Sequence, residues 1–413
     1  MSASETVQVA IFFERNGHTA ELPGVSYDIT SGVLLDSKNG EDLSQAYPEL
    51  VGSSAKLRFD MGPVKIPDTG EIVRLAGDIP LIQRYSPRFP GNGVSELEQL
   101  VRKAGWDIVS HVGKFALADT RKVGKLCKSL LHFITGVIPS GFEIPWDNLL
   151  PVVDVFIFVF LVDDKFDEVQ EGEDETSGVE ESKSSWFEMA ARFRSLDEFE
   201  VNEEDSLCRF VEECKRGLRR MENFPGESEP VRRAVEEWLV REGKALEGTA
   251  GEKTAAAYLA ERRYTSGFKL SCEVLAFSLH IFVALEHRAD PVFKELEHLW
   301  ATLAGLANDV YSLAKEVEQG EESNYLLVAG NGAEFSNIST CLGHLLEVRM
   351  PEMIETVKIL DEDLLLKYKR DENLRNYFKL ANNSYDAMVK WSPWSGRFGR
   401  FKEGSISMAF TQY

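Results

Sequence analysis

Two short stretches of the chain carry side chains of the kind that bind hard cations. The first is "DDKFDE", residues 163–168, which directly follows the apolar run "LLPVVDVFIFVFLV" at 149–162. Asp163 and Asp167 stand one helical turn apart and share a face, with Asp164 beside them. Three carboxylates at the end of a buried helix repel one another, and their pKa values rise unless a cation neutralises them. Mg2+ suits such a place, because it is held by one or two carboxylates together with phosphate oxygens and water. The plain alternative is a solvated helix end leading into the acid-dense stretch 167–185. An EF-hand calcium loop starting at Asp163 does not fit: Glu168 stands where glycine is needed, and Asp174 where glutamate is needed.

The second stretch is "LANDVYSLAKE", residues 306–316, in which Asn308, Ser312 and Glu316 recur at every fourth position. On a helix these three drift by only about 40° per step and span about 12 Å. An amide oxygen, a hydroxyl and a carboxylate on one stripe make a second oxygen site of the Mg2+ type. The residues just before, "LWATLAGLA" at 299–307, are apolar, so the stripe is expected to face the interior. Taken alone, the same residues also fit an exposed polar face beside Lys315.

The elements that must position these groups are helices. From about residue 95 onward, apolar residues recur at three and four, as in 95–116, 205–223, 230–248, 267–287, 292–320 and 335–371. Pro225, Pro230, Pro291 and Gly320 punctuate the boundaries. There is no strand–helix alternation and no internal repeat, so the main domain, residues 76–413, is expected to be all-α. Residues 1–75 differ. They are rich in Gly, Ser, Asp and Pro, with short apolar pieces at 7–13 and 71–77. They read as an irregular extension of short strands and turns, or as partly disordered. The 413 residues are 43% hydrophobic, enough for a sizeable core, and a formal net charge of −22 argues against wrapping nucleic acid or adhering to anionic membranes. Five scattered cysteines without a CxxC pair suggest reduced thiols and a cytoplasmic location. The N-terminus shows no secretory signal pattern, and the run at 149–162 is shorter than the roughly 20 residues a bilayer span needs.

Together the motifs resemble those of the class I terpene synthases, over roughly residues 80–405. That family's DDxxD motif reads here as "DDKFD" at 163–167, and its NDxxSxxxE triad as "NDVYSLAKE" at 308–316, with Lys315 as the basic residue before the Glu. A diphosphate-sensing arginine followed by a helix break reads as "RYTSG": Arg263, Ser266 and Gly267. The motif's spacing favours Arg263 over the adjacent Arg262. A mid-helix glycine weakens the helix, and in the family this frees a backbone carbonyl toward the substrate. The C-terminal W-x-x-x-S-x-R-Y reads as "WSPWSGRF", with Trp391, Ser395 and Arg397, and with Phe398 in place of the tyrosine. The phenylalanine removes a hydroxyl contact to phosphate, while Arg397 keeps its planar fork.

The resemblance implies a helical bundle around a deep apolar cavity, with three Mg2+ ions held by Asp163, Asp167, Asn308, Ser312 and Glu316. Arg263, Lys315 and Arg397 then stabilise the leaving diphosphate of an allylic prenyl substrate. The carbocation left behind needs a dry pocket with aromatic walls. Phe156, Phe160, Phe268, Trp300 and Trp391 are the candidates, although each alone is more readily read as core packing. Farnesyl diphosphate is the favoured substrate and geranylgeranyl diphosphate the runner-up. The product is a cyclised hydrocarbon or alcohol, and the enzyme acts as a monomer or homodimer. Length and extension look more fungal than bacterial or plant.

Other readings find less support. A chain-elongating prenyltransferase needs two DDxxD motifs, and one is present; no DxDD occurs for protonation-initiated cyclisation. A non-catalytic acidic scaffold explains the charge, but not four phosphate- and metal-type elements in family order. The seven histidines show no metal-site spacing.

Overall fold

The computed structural model describes residues 8–15, 18–28, 33–84, 110–111, 114, 130, 133–134, 146–171, 187–195, 206–245, 254–332, 334–395 and 405–411, with the side chains of Gln8, Arg15, His18, Arg84, Trp146, 163–171, Ala245 and Trp394 outside that description. Most of the expected helix 95–116 lies outside the described residues.

The N-terminal region is a sheet. Strands β1 (Gln8–Arg15), β2 (His18–Asp28), β3 (Val33–Asp36), β4 (Ser54–Lys65) and β5 (Ile72–Arg84) are joined by β6 (Ile406–Thr411) in the order β3-β2-β1-β6-β4-β5. Neighbours are antiparallel except β1 and β6, which run parallel with Ala10 opposite Ser407 and Phe13 opposite Phe410. Of the readings open for 1–75, short strands and turns or partial disorder, the described residues form strands of one sheet rather than an irregular extension. β5 runs on to Arg84, across the boundary placed at 75, and the central strand comes from near the other end of the chain. Ala55, Leu57 and Phe59 alternate inward along β4, the period of a half-buried strand.

The bundle is built from α1 (Trp146–Glu171), α2 (Ser206–Met221), α3 (Glu229–Ala245), α4 (Ala255–Thr265), α5 (Phe268–Ser278), α6 (Leu285–Ala289), α7 (Pro291–Gln319), α8 (Tyr325–Gly330), α9 (Ile338–His344), α10 (Met350–Lys367) and α11 (Glu372–Trp391). α1 is buried on every side between Val152 and Phe158, which explains why its sequence is apolar all round rather than striped. Its Pro151 packs against Gly217 of α2, where a Cβ would come within 2.9 Å of the ring. α7 is the long central helix. Asp290 caps it, accepting from the Val292 amide at 2.9 Å; Pro291 opens it, and Gly320 closes it with φ 74°. The expected helix 267–287 breaks at Leu279, because His280 takes φ 53° and the chain turns before α6. The expected helix 335–371 contains a π turn at Leu345–Arg349. None of the described helices is long and apolar enough to cross a membrane.

β5 fastens the sheet to the bundle. Asp386 of α11 accepts the Ile82 and Gln83 amides at 2.8 and 3.0 Å, and the Tyr385 hydroxyl donates to the Pro80 carbonyl at 3.0 Å. A Cβ on Gly77 would meet Leu346 Cδ1, so β5 lies close against the π turn and a larger residue there would have to push that side chain aside. Asp386→Ala orphans two strand amides, at a cost on the order of 2–3 kcal/mol. Hydrogen exchange at Ile82 and Gln83 is expected to accelerate at least tenfold in that variant; unchanged protection there would show that the carboxylate does not hold the strand.

A buried polar relay joins three helices. Trp300 Nε1 of α7 donates to Asn382 Oδ1 at 2.7 Å, and Asn382 Nδ2 donates to Asp361 Oδ2 of α10 at 2.8 Å. Burial pushes the Asp361 carboxyl up to about 7, with the Asn382 bond opposing the rise. The folded state thus holds this proton more tightly than the unfolded chain. The group's contribution is full below pH ~4 and is lost as pH rises through about 7. Asp361→Asn is expected to come nearest the wild type at pH 4 and to exceed it at pH 8 by at least about 2 kcal/mol. Thermal melts at the two pH values check this, and a variant equally displaced at both would refute it.

Candidate active site

The stripe on α7 faces the interior. Ser312 is buried, and Asn308 and Glu316 are half-buried. The neighbouring Asp309 is fully buried and organises what surrounds the stripe. Its Oδ2 accepts from the Tyr258 hydroxyl of α4 at 2.7 Å and from the Tyr325 amide of α8 at 3.3 Å, while Arg262 Nη2 stands 2.7 Å from its Oδ1. Burial pushes the Asp309 carboxyl up, and the guanidinium and the phenol oppose it.

Asn324 ties the far end of the stripe. Its Nδ2 donates to Glu316 Oε2 at 2.6 Å and to the Asp309 carbonyl at 2.8 Å, while its Oδ1 caps α8 by accepting the Leu326 amide at 2.8 Å. Glu316 is pushed up to about 8, first by burial and then by the Asp309 charge; Asn324, Arg262 and Ser312 pull the other way. Ser312 Oγ is close enough to Glu316 to lower that pKa, yet no partner of good hydrogen-bond geometry meets it among the described residues. A half-buried carboxylate short of cationic charge, a hydroxyl oxygen without a firm partner and an amide oxygen on one stripe form a donor set that suits Mg2+. Among the described residues no three His, Cys, Asp or Glu side chains converge, so the stripe depends on its neutral oxygens.

The arginine that reaches this stripe is Arg262, not Arg263. Arg262 Nη2 donates to Asn308 Oδ1 at 2.7 Å. Arg263 turns to α7 a few turns earlier, with Nη1 3.4 Å from His298 Nδ1 and its guanidinium 4.8 Å over the Tyr264 ring. The helix break is where the sequence puts it: Ser266 ends α4, and Gly267 adopts φ 66° ahead of α5. The Gly267 carbonyl accepts both the Ser271 amide and the Ser271 hydroxyl, each at 3.0 Å, so it is not the carbonyl that the break leaves over. Lys315 is half-buried on α7, just before Glu316.

The aromatic candidates divide. Phe156 and Phe160 of α1 and Trp391 of α11 share a cluster with Phe133. Phe133 lies 5.8 Å from Phe156 and 5.5 Å from Trp391, and Phe160 lies 5.9 Å from Trp391. Trp300 stands apart, bonded to Asn382 and packed 5.7 Å from Phe378, and it holds α7 to α11. Phe268 is buried as the first residue of α5. The backbone of α1 carries Asp163, Asp164 and Asp167 on its final turns; their side chains, and Arg397 with Phe398, lie outside the described residues.

Sequence reasoning passed over Arg262 in favour of Arg263, and missed Asp309, Tyr258 and Asn324. Gly305, a turn before Asn308, was the available signal for the first. A Cβ there would lie 2.7 Å from Arg262 Cγ, so the glycine makes the channel through which Arg262 passes.

Comparison with known proteins agrees with this geometry. Residues 154–337 match the family described as "Terpene synthase family 2, C-terminal metal binding". A curated relative, 7-epi-alpha-eudesmol synthase ((2E,6E)-farnesyl diphosphate cyclizing) of Streptomyces viridochromogenes, is 24% identical over 171 residues, which are 40% of this chain and 49% of the relative. The chain thus spans about half the length of that relative. Among solved structures, a single-substitution variant of cucumene synthase superposes with TM-score 0.57 at 17% identity, over 72% of this chain and 96% of that one. The 2-methylisoborneol synthase of Streptomyces coelicolor A3(2) superposes with TM-score 0.58 at 14% identity, over 74% and 91%. At such identities the likeness is one of fold. The bundle thus has the fold of these terpene synthases, and residues 154–337, which carry the stripe on α7, match the metal-binding segment of that family's model.

Proposed function

We propose that the protein is a Mg2+-dependent cyclase. It ionises an allylic prenyl diphosphate, farnesyl diphosphate before geranylgeranyl diphosphate, and closes the resulting cation to a cyclic hydrocarbon or alcohol. The observation that carries this reading is the interior oxygen stripe Asn308–Ser312–Glu316 with the Arg262 guanidinium on its first member. When bound, the metal supplies positive charge for the departing diphosphate. Asn308, Ser312 and Glu316 hold one ion, and Asp163 and Asp167 serve the others of an expected three. Arg262, Lys315 and Arg397 bind the diphosphate oxygens as charge develops on them. The apolar cluster of Phe156, Phe160 and Trp391 excludes water and offers ring faces to a cation. A farnesyl chain is favoured because the curated relative's name records cyclisation of that substrate.

The test is incubation of the protein with Mg2+ and each of the C10, C15, C20 and C25 diphosphates, with the extracts analysed by gas chromatography and mass spectrometry. A cyclic C15 product that disappears with a chelator is expected. A cyclic product from the C20 substrate alone would shift the assignment to a diterpene cyclase. Absence of diphosphate release from all four would overturn the cyclase reading in favour of an acidic, non-catalytic helical protein.

A further inference from the structure

Arg262 does more at the stripe than wait for an anion. Its Nη2 donates to Asn308 Oδ1 at 2.7 Å, the oxygen that the proposed metal site needs first. The same nitrogen stands 2.7 Å from Asp309 Oδ1, so one end of the guanidinium serves both side chains. Arg262 Nε is buried and has no partner among the described residues. The guanidinium is therefore anchored by the Asp309 charge, bonded to Asn308, and left with an unused donor at Nε. The stem is guided along Gly305, whose absent Cβ leaves it room.

A divalent cation at Asn308 Oδ1 would sit within a few ångströms of that guanidinium, where like charges repel strongly in a partly buried setting. We infer that Arg262 is a latch on the metal triad: it holds Asn308 Oδ1 in the free protein and releases it when a diphosphate offers oxygens to the guanidinium. Asp309 is the pivot, because its attraction for the arginine persists in both positions. Metal binding at the triad is thereby coupled to the presence of diphosphate, and the last ion arrives with or after the substrate. This rests on the metal-site reading of the stripe and adds to it an order of events.

The coupling is measurable without turnover. Mn2+ is titrated into the protein and followed by electron paramagnetic resonance, with and without inorganic diphosphate, and with a protein-free blank for the metal–diphosphate complex. Asn308→Ala identifies the share of binding that belongs to the triad. In the wild type, diphosphate is expected to tighten that share about tenfold or more. Arg262→Lys and Gly305→Ala both keep the positive charge while disturbing the Nη2–Asn308 bond, the first by shortening the fork and the second by displacing the stem. Each is expected to raise Mn2+ affinity in the absence of diphosphate about tenfold, as befits loss of one charge-assisted bond. Each should also shrink the diphosphate effect. Wild-type Mn2+ affinity in both variants, beside binding that still depends on Asn308, overturns the latch and leaves the triad in place. Binding that is indifferent to Asn308→Ala with diphosphate present overturns the triad itself.

Discussion

Asn308→Ala is expected to lower Mg2+-dependent release of diphosphate from farnesyl diphosphate by about a thousandfold, while the melting temperature stays within a few degrees of the wild type. The size follows from what the side chain does. An oriented group that stabilises charge developing in the transition state is worth about 10²–10³ in rate when removed. Here the loss also costs an ion its seat. The fold should tolerate the change, because Asn308 is half-buried and its one described side-chain bond is to Arg262, which retains Asp309. Coupled detection of diphosphate gives the rate, and circular dichroism the fold. Turnover within tenfold of the wild type in a folded variant would remove Asn308 from the site.

Asp309→Ala should act in the opposite sense, on the fold before the chemistry. Its carboxylate is fully buried and meets the Arg262 guanidinium, the Tyr258 hydroxyl and the Tyr325 amide. Removing it leaves a buried cation without its counter-charge, the Tyr325 amide without its acceptor, and the Tyr258 hydroxyl with only the Ser323 carbonyl at 3.4 Å. Breaking a buried pair from one side costs about 3–5 kcal/mol. The shift in urea midpoint measures this, and a loss under about 1 kcal/mol would mean that water replaces the carboxylate. Adding Arg262→Met to Asp309→Ala removes the stranded charge and should restore part of the stability. That recovery separates an electrostatic cause from simple loss of volume.

The bundle was legible because its helices obey one period and one kind of punctuation. The expected helix 205–223 is Ser206–Met221, and the expected 292–320 is Pro291–Gln319, opened by proline and closed by glycine as the sequence indicates. The stripe was legible for the same reason, since positions four apart on a helix share a face whatever surrounds them. That Arg262 rather than Arg263 meets Asn308 was not. Adjacent residues point about 100° apart on a helix, and only the partner helix decides which of them reaches the stripe. Gly305 makes that decision through a missing side chain, which no motif in α4 records. Strand pieces at 7–13 and 71–77 were legible, but their assembly into one sheet was not, for another reason. Its central pairings join residues such as Ala10 and Ser407, and no local pattern announces a partner so distant. The alternation at Ala55, Leu57 and Phe59 was a signal within reach that the Gly- and Pro-rich surroundings obscured.

The place of β6 has a consequence for the birth of the molecule. It lies between β1 and β4, so both of those strands emerge early in translation with an edge unpaired. An unpaired edge is a template for any other extended chain. The nascent protein must carry two such templates through synthesis of the entire helical bundle, and they close only when residues 406–411 leave the ribosome. Strands from neighbouring chains on the same message could fill the gap first. The yield of native protein in a cell should therefore depend on ribosome spacing and on chaperones that shield β1 and β4, more than on the stability of the finished fold.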